Sequence, residues 1–192
     1  MEYKELKQLI ERNRSYRRFK ESERISGSDL ENLVDLARYC ASGRNLQPMK
    51  YRIVSSESEC AEVFPLLAWA GYLSDWDGPA EGERPAAYLI QCLDLGLTQN
   101  PMCDDGLQLE AILLGAVAMG YGGCIIKSFN KEKLAEVLGL PEHLEPRYVL
   151  ALGVPVEKVE IKPMKAGDIK YWRDTEGVHY VPKRSLKEIL VK

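Results

Sequence analysis

Residues 104 to 126 constrain this chain most. They run Asp104-Asp105-Gly106-Leu107-Gln108-Leu109-Glu110, then nine apolar or small residues from Ala111 to Met119, then Gly120-Tyr121-Gly122-Gly123-Cys124-Ile125-Ile126. A helix that is apolar on every face belongs in a core, because a surface helix carries a single apolar stripe. Nine such residues cannot cross a bilayer, which takes about 20. Asp104 and Asp105 suit the positive end of the helix, and Gly120 suits its stop. The glycine pair that follows has two readings. It lets a backbone approach a flat ligand without an intervening Cβ, or it is simply a tight turn from helix to strand.

Around this helix the period of the apolar residues changes along the chain. Tyr3, Leu6, Leu9 and Ile10 predict a first helix over residues 2–13. Ser28 and Glu31 have capping-box spacing, and Leu30, Leu33, Val34, Ala37 and Ala41 share one face, which predicts a second helix from Asp29 to about Ser42, ended by Gly43. Residues 57–69 read as helical until Pro65, and Asn130 caps a short helix closed by Gly139. Strands are expected at Tyr51–Val54, Ala86–Leu93, after Gly122, and at Arg147–Gly153. Asp75 to Pro85 reads as an irregular surface loop. Residues 157–192 show no pattern of their own before Leu186, Ile189 and Leu190 and are expected to lie on another surface. The order predicts an α+β fold in one domain, a mixed, mainly antiparallel sheet flanked by helices around a buried central helix.

Chemistry is concentrated in three places. From Arg12 to Arg24 there are six cations (Arg12, Arg14, Arg17, Arg18, Lys20, Arg24) against Glu21 and Glu23, in a chain of net charge −3. Arg14-Ser15-Tyr16-Arg17 suits a phosphate or carboxylate, since guanidinium presents a planar fork of donors; a solvated charge run explains the same residues. The loop Ser42-Gly43-Arg44-Asn45-Leu46-Gln47-Pro48 offers amides able to read the edge of a heterocycle, and turn chemistry explains Gly43, Asn45 and Pro48 equally well. Lys183-Arg184 is a second cationic pair. Trp69, Tyr72 and Trp76 either cover a planar substrate or anchor packing. His143 and His179 lie far apart, so a metal site is not expected. Five cysteines without CxxC spacing and a polar start (Met1-Glu2-Tyr3-Lys4-Glu5) predict reduced thiols in a cytoplasmic protein.

Three of these pieces resemble one family. Asn13-Arg14-Ser15-Tyr16-Arg17-Arg18-Phe19 resembles the N-terminal motif of nitroreductase-like flavoproteins, Ala41 to Pro48 resembles their serine-asparagine-glutamine-proline loop, and residues 104–126 resemble their central helix and glycine turn. Trp69-Ala70-Gly71-Tyr72 with Asp75 to Pro85 is similar to a small branch of that family. Met49 stands where tryptophan is common after glutamine-proline, and glycine stands where some members have glutamate before glycine. The resemblance implies an intertwined homodimer with two FMN molecules at the interface and residues 157–192 packed on the partner. It implies that Arg14, Ser15 and Arg17 hold the flavin phosphate, ribityl chain or pyrimidine edge. Ser42, Asn45 and Gln47 would come from the second subunit, Gly122 and Gly123 would pass near N5, and Lys183 or Arg184 would reach the phosphate. The implied activity is NAD(P)H oxidation with transfer to a nitroaromatic, quinone or similar small acceptor, the flavin carrying the hydride and no side chain acting as nucleophile. Nucleic acid and membrane are not expected partners. No G-x-G-x-x-G is present to choose NADH or NADPH. Reductive dehalogenation, flavin fragmentation and flavin binding without turnover are alternatives on the same fold.

Overall fold

In a computed structural model, which describes residues 1–191, the sheet is built around its two most apolar strands. Strands β1 (Met49–Val54), β2 (Ala87–Asp94), β3 (Gly122–Ile126) and β4 (Leu144–Gly153) form an antiparallel sheet in the order β1-β2-β4-β3. β2 reads Ala-Tyr-Leu-Ile-Gln-Cys-Leu and is buried along its length because helices cover both faces. Helices α2 (Gly27–Arg38) and α4 (Asp104–Ala118) meet Leu89, Leu150 and Leu152 on one face; α3 (Glu57–Val63) and α5 (Lys131–Val137) meet Tyr88, Ile90 and Val149 on the other. Each fully buried Leu or Ile contributes about 1.5–3 kcal/mol, so Leu30, Leu33, Leu109, Ile112, Leu134 and Leu150 alone decide where the helices sit.

The expected order of helices and strands is the observed one, and most differences lie at element ends. α1 spans Tyr3–Arg12. α2 starts two residues early because Ser26, not Ser28, accepts from the Asp29 amide (3.0 Å), and it ends at Arg38, well before Ser42. Gly43 does not stop that helix but opens a short 3₁₀ turn, Gly43–Asn45. Gly120 stops α4 in the left-handed conformation (φ 88°), as expected. Cys103 occupies the cap of α4 and makes no side-chain bond there; Asp104 and Asp105 lie in the first turn, where Asp105 Oδ1 accepts from the Gly106 amide (2.8 Å) and Asp104 turns to another partner. Nor is α4 enclosed by its own chain. Leu109, Ile112, Leu113 and Ala116 are buried, whereas Leu107 is 45% exposed.

The largest correction concerns the C-terminal segment. Residues 159–183 build a three-stranded sheet on their own chain, β5 (Val159–Pro163), β6 (Trp172–Arg173) and β7 (His179–Lys183), with β5 parallel and β6 antiparallel to β7. Beyond it, along the one-turn helix α6 (Leu186–Ile189), Leu186, Ile189 and Leu190 stand exposed.

Candidate functional site

The basic segment after α1 is fixed against the open edge of β3. The Tyr16 amide donates to Gly123 O (3.0 Å), Val156 N to Arg18 O (3.1 Å) and Lys20 N to Val154 O (2.8 Å), while Phe19 is completely buried against Gly153. Glu157, also buried, accepts from the Arg17 and Arg18 amides and from Arg173 Nη2 (3.0 Å). Arg18 forms a two-bond pair with Glu83 (both 2.6 Å), which holds that carboxyl below its usual range, and Lys20 pairs with Glu23. Those cations are structural. Arg14 and Arg17 form no ion pair among the described residues.

Two adjoining clefts follow from this arrangement. Arg14, Ser15 and Lys183 line the first, beside Asn13, Glu110 and Ile125. Arg14 Nη2 donates to Ile10 O at the negative end of α1 (2.8 Å), and its Nε is buried with no acceptor. Lys183 also lacks a carboxylate partner among the described residues. Glu110 already accepts from Asn13 Nδ2 (3.1 Å). The second cleft shares Ile125 and is bordered by Arg17, Tyr171, Lys127 and the Trp69–Gly71 turn. Because Gly123 O faces away from β4, Ile125, two residues on, turns its peptide groups to the same open edge.

Arg17 has an uncommon neighbour. Its guanidinium lies 5.0 Å from the Tyr171 ring centroid, and its Nη1 is 3.4 Å from His179 Nε2. A guanidinium can only donate, so Nε2 accepts and the proton sits on Nδ1, which has no partner. Burial, then Arg17 and Arg173, bring the His179 pKa down to about 4. The ring is therefore neutral near pH 7, and Arg17 keeps an uncompensated charge at the cleft.

The glycine pair serves packing. A Cβ on Gly122 would stand 2.6 Å from Tyr16 and Pro155 carbons, and one on Gly123 would stand 2.7 Å from Ala151 O and 2.9 Å from Leu113 and Leu152. Their missing side chains leave room for the protein itself, so that Ser15 and Tyr16 can pair with Gly123. Trp69 is buried against Phe64 (5.9 Å) and Trp76 (6.5 Å), whereas Tyr72 meets the cleft residue Tyr171 at a tilt of 58° (5.0 Å between centroids). The Cys124 thiol is buried, which raises its pKa and suits inert filling.

The second loop lies elsewhere. Asp104 is 1% exposed and accepts from Ser42 Oγ (2.5 Å) and Gly43 N (2.8 Å); Ser42 Oγ in turn accepts from Gln47 N (2.8 Å). Arg44, Asn45 and Gln47 all have positive φ, between 51° and 57°. The loop enters β1, on the far edge of the sheet from β3, three interstrand spacings or about 14 Å away. One chain thus gathers Arg14, Ser15, Arg17, Gly122, Gly123 and Lys183, but not Ser42, Asn45 or Gln47. Arg184 borders neither cleft and pairs with Glu188 (3.6 Å). Sequence reasoning missed Tyr171, Glu157 and Arg173. The alternation in Val159–Pro163 and His179–Lys183 was the signal that residues near them would be folded back.

The family model described as "Nitroreductase family" matches residues 10–77 and 95–154. A Cr(VI) reductase of Pseudomonas sp. is 27% identical over 82% of this chain and 70% of its own length, and an oxygen-insensitive NADPH nitroreductase of Salmonella typhimurium is 26% identical over 81% and 68%. Among solved structures, a nitroreductase family protein from Streptococcus pneumoniae superposes with a TM-score of 0.71 over 97% of this chain and 99% of that one at 17% identity. The NADPH:FMN oxidoreductase from Vibrio harveyi complexed with NAD⁺ does so with 0.65 over 84% and 74% at 23%.

Proposed function

The chain belongs to the nitroreductase family, and from that premise we propose that it is an FMN-dependent oxidoreductase that alternates between NAD(P)H and a small acceptor such as a nitroaromatic or quinone. The observation that carries this reading is the pair of unneutralised cations in one cleft, Arg14 with a buried, unsatisfied Nε and Lys183 opposite it. A phosphate supplies the acceptors they lack. Ser15 adds a hydroxyl at the same place. Arg17 borders the adjoining cleft, where its charge favours an electron-rich pyrimidine edge. Neutral His179 accepts a hydrogen bond from Arg17 without cancelling that charge. Gly122 and Gly123 let the 14–17 segment approach closely enough that Arg14 and Ser15 line the first cleft and Arg17 the second. When bound, FMN supplies hydride acceptance and delivery at N5; the chain supplies binding, orientation and charge.

Ser42, Asn45 and Gln47 complete the site in this reading only from a second copy. The support is the apolar surface that one chain leaves uncovered: Leu6 and Ile10 on α1, Leu107 on α4, and Leu186, Ile189 and Leu190 at the C-terminus. The last three suit a tail that lies on the partner. No helix among the described residues is long and apolar enough to cross a membrane. Five free thiols suit a reducing cytoplasm. Purified protein is expected to be yellow, to release about one FMN per chain on denaturation, and to be bleached by NADH or NADPH; acceptors are then ranked by reoxidation rate against oxygen. Colourless protein that FMN cannot reconstitute overturns the proposal.

A further inference from the structure

On the α3 side of the sheet lies a cleft of about 490 Å³ that shares no lining residue with the two above. Its volume is in the range of small-molecule sites. One wall is Gly82, Arg84 and Pro85, from the segment that reads in sequence as an irregular surface loop; the other is Cys60, Ala61 and Phe64. At its floor Tyr88 is 1% exposed, and its hydroxyl has no hydrogen-bond partner among the described residues. Burial keeps that phenol protonated, and so a donor. Arg84 Nε is likewise buried without an acceptor, its guanidinium stacked 4.5 Å from the Phe64 ring centroid. Arg24 also lines the cleft and spends one nitrogen on Ser55 O. Each of these groups can donate, and the two guanidiniums can only donate.

The buried Arg84 Nε asks for an acceptor, and the carboxylates nearby do not provide one. Glu21 is engaged by the amides of Gly82 (2.6 Å) and Arg84 (3.4 Å), while Glu57 and Glu81 are exposed at the rim. Glu57 and Glu81 stand in solvent and are screened, so within the cleft Arg24 and Arg84 face the Glu21 carboxylate alone, which leaves one positive charge to be met and opposes a multiply charged ligand. Ala61, Phe64 and Pro85 supply an apolar wall. We propose that this cleft is a second ligand site, for a small aromatic monocarboxylate whose oxygens meet the Tyr88 hydroxyl and the Arg84 and Arg24 guanidiniums. The proposal stands independently of the flavin reading.

The test is calorimetric titration of the purified, cofactor-loaded full chain with benzoate, with benzyl alcohol and inorganic phosphate as comparators. One benzoate per chain is expected. Arg84→Ala should weaken it at least about tenfold, Tyr88→Phe several-fold, and Arg17→Ala not at all, as charge-assisted and neutral hydrogen bonds differ. Tyr88→Phe keeps the ring packing, and Arg24→Gln substitutes for Arg84→Ala if circular dichroism shows the latter misfolded. The proposal is overturned by no benzoate heat at millimolar concentration, by equal affinity for benzyl alcohol, or by competition from phosphate. Loss of binding in Arg17→Ala with retention in Arg84→Ala also overturns it, by placing benzoate in the other cleft.

Discussion

Asp104→Ala tests how the polar loop before β1 is held. The carboxylate is almost fully buried and accepts two hydrogen bonds, from Ser42 Oγ at 2.5 Å and Gly43 N at 2.8 Å. Hydrogen bonds to a charged group are worth about 1.5–3 kcal/mol each, and truncation also strands both donors. Loss of a favourable charge at the α4 N-terminus adds up to about 1 kcal/mol. These terms overlap, so the expected cost is about 3–5 kcal/mol, or roughly 10 °C in Tm for a chain of this size. Asp104→Asn keeps an acceptor for Gly43 N and should cost about half. The assay is urea unfolding at fixed protein concentration, followed by circular dichroism, with Ser42→Ala and the double variant closing a cycle. Coupling of at least about 1 kcal/mol between positions 42 and 104 is expected. A cost under 1 kcal/mol for Asp104→Ala, or additive single effects, refutes the claim that this carboxylate organises the loop.

Arg14→Ala and Lys183→Ala should each weaken FMN binding by about 10–150-fold while changing the stability of the flavin-free protein by no more than about 1 kcal/mol, and Arg184→Ala should leave FMN binding as it is; fluorescence titration checks all three. Gly123→Ala should destabilise by at least about 1–3 kcal/mol, because its methyl would meet Ala151 O at 2.7 Å, and a Tm unchanged from the parent contradicts the packing account. His179 has its pKa depressed to about 4, so the unfolded chain binds more protons between about pH 4 and 6.5. Stability should therefore fall as pH drops through that window, on the order of 2–3 kcal/mol, and His179→Gln should flatten the slope in denaturant titrations at pH 4.5 and 7. Mixing equal amounts of Arg14→Ala and Asn45→Ala chains after dissociation should restore about a quarter of the flavin sites, since half of random dimers are mixed and each has one intact site; no recovery argues against a shared site.

Elements whose residues face one consistent environment were legible. β2 and the 149–152 half of β4 are apolar because both sheet faces are covered there, and α2 shows its stripe because one side is wet. Ends were less legible, since caps depend on which hydroxyl is nearest in space: Ser26 takes the α2 cap although Ser28 has the capping-box spacing. The fate of Asp104 was hidden for another reason. An aspartate at a helix start is expected to bind that helix, and its actual partners, Ser42 and Gly43, lie some sixty residues earlier. Arg14, Ser15 and Arg17 stood out through local charge density. Tyr171 and His179 did not, because only the chain reversal that forms the β5-β7-β6 sheet brings them to Arg17.

In the dimer proposed above, the position of α4 accounts for a site divided between two chains. Its fifteen residues span about 22 Å, with the Ser42–Pro48 loop tied to its first residue and the Gly122–Gly123 edge just past its last turn. No side chain bridges that length. A two-fold axis that lays the exposed side of α4 against its copy, running the opposite way, sets the start of one helix beside the end of the other. The same operation covers Leu107 and opposes each strained loop to a partner's basic cleft. Positive φ at three non-glycine residues costs on the order of 1–3 kcal/mol apiece, and the buried Asp104 carboxylate offsets it by gripping Ser42 and Gly43. A loop whose only duty was to join α2 to β1 would need neither the strain nor the carboxylate. The proposed presentation of Asn45 and Gln47 in one fixed pose across an interface calls for both.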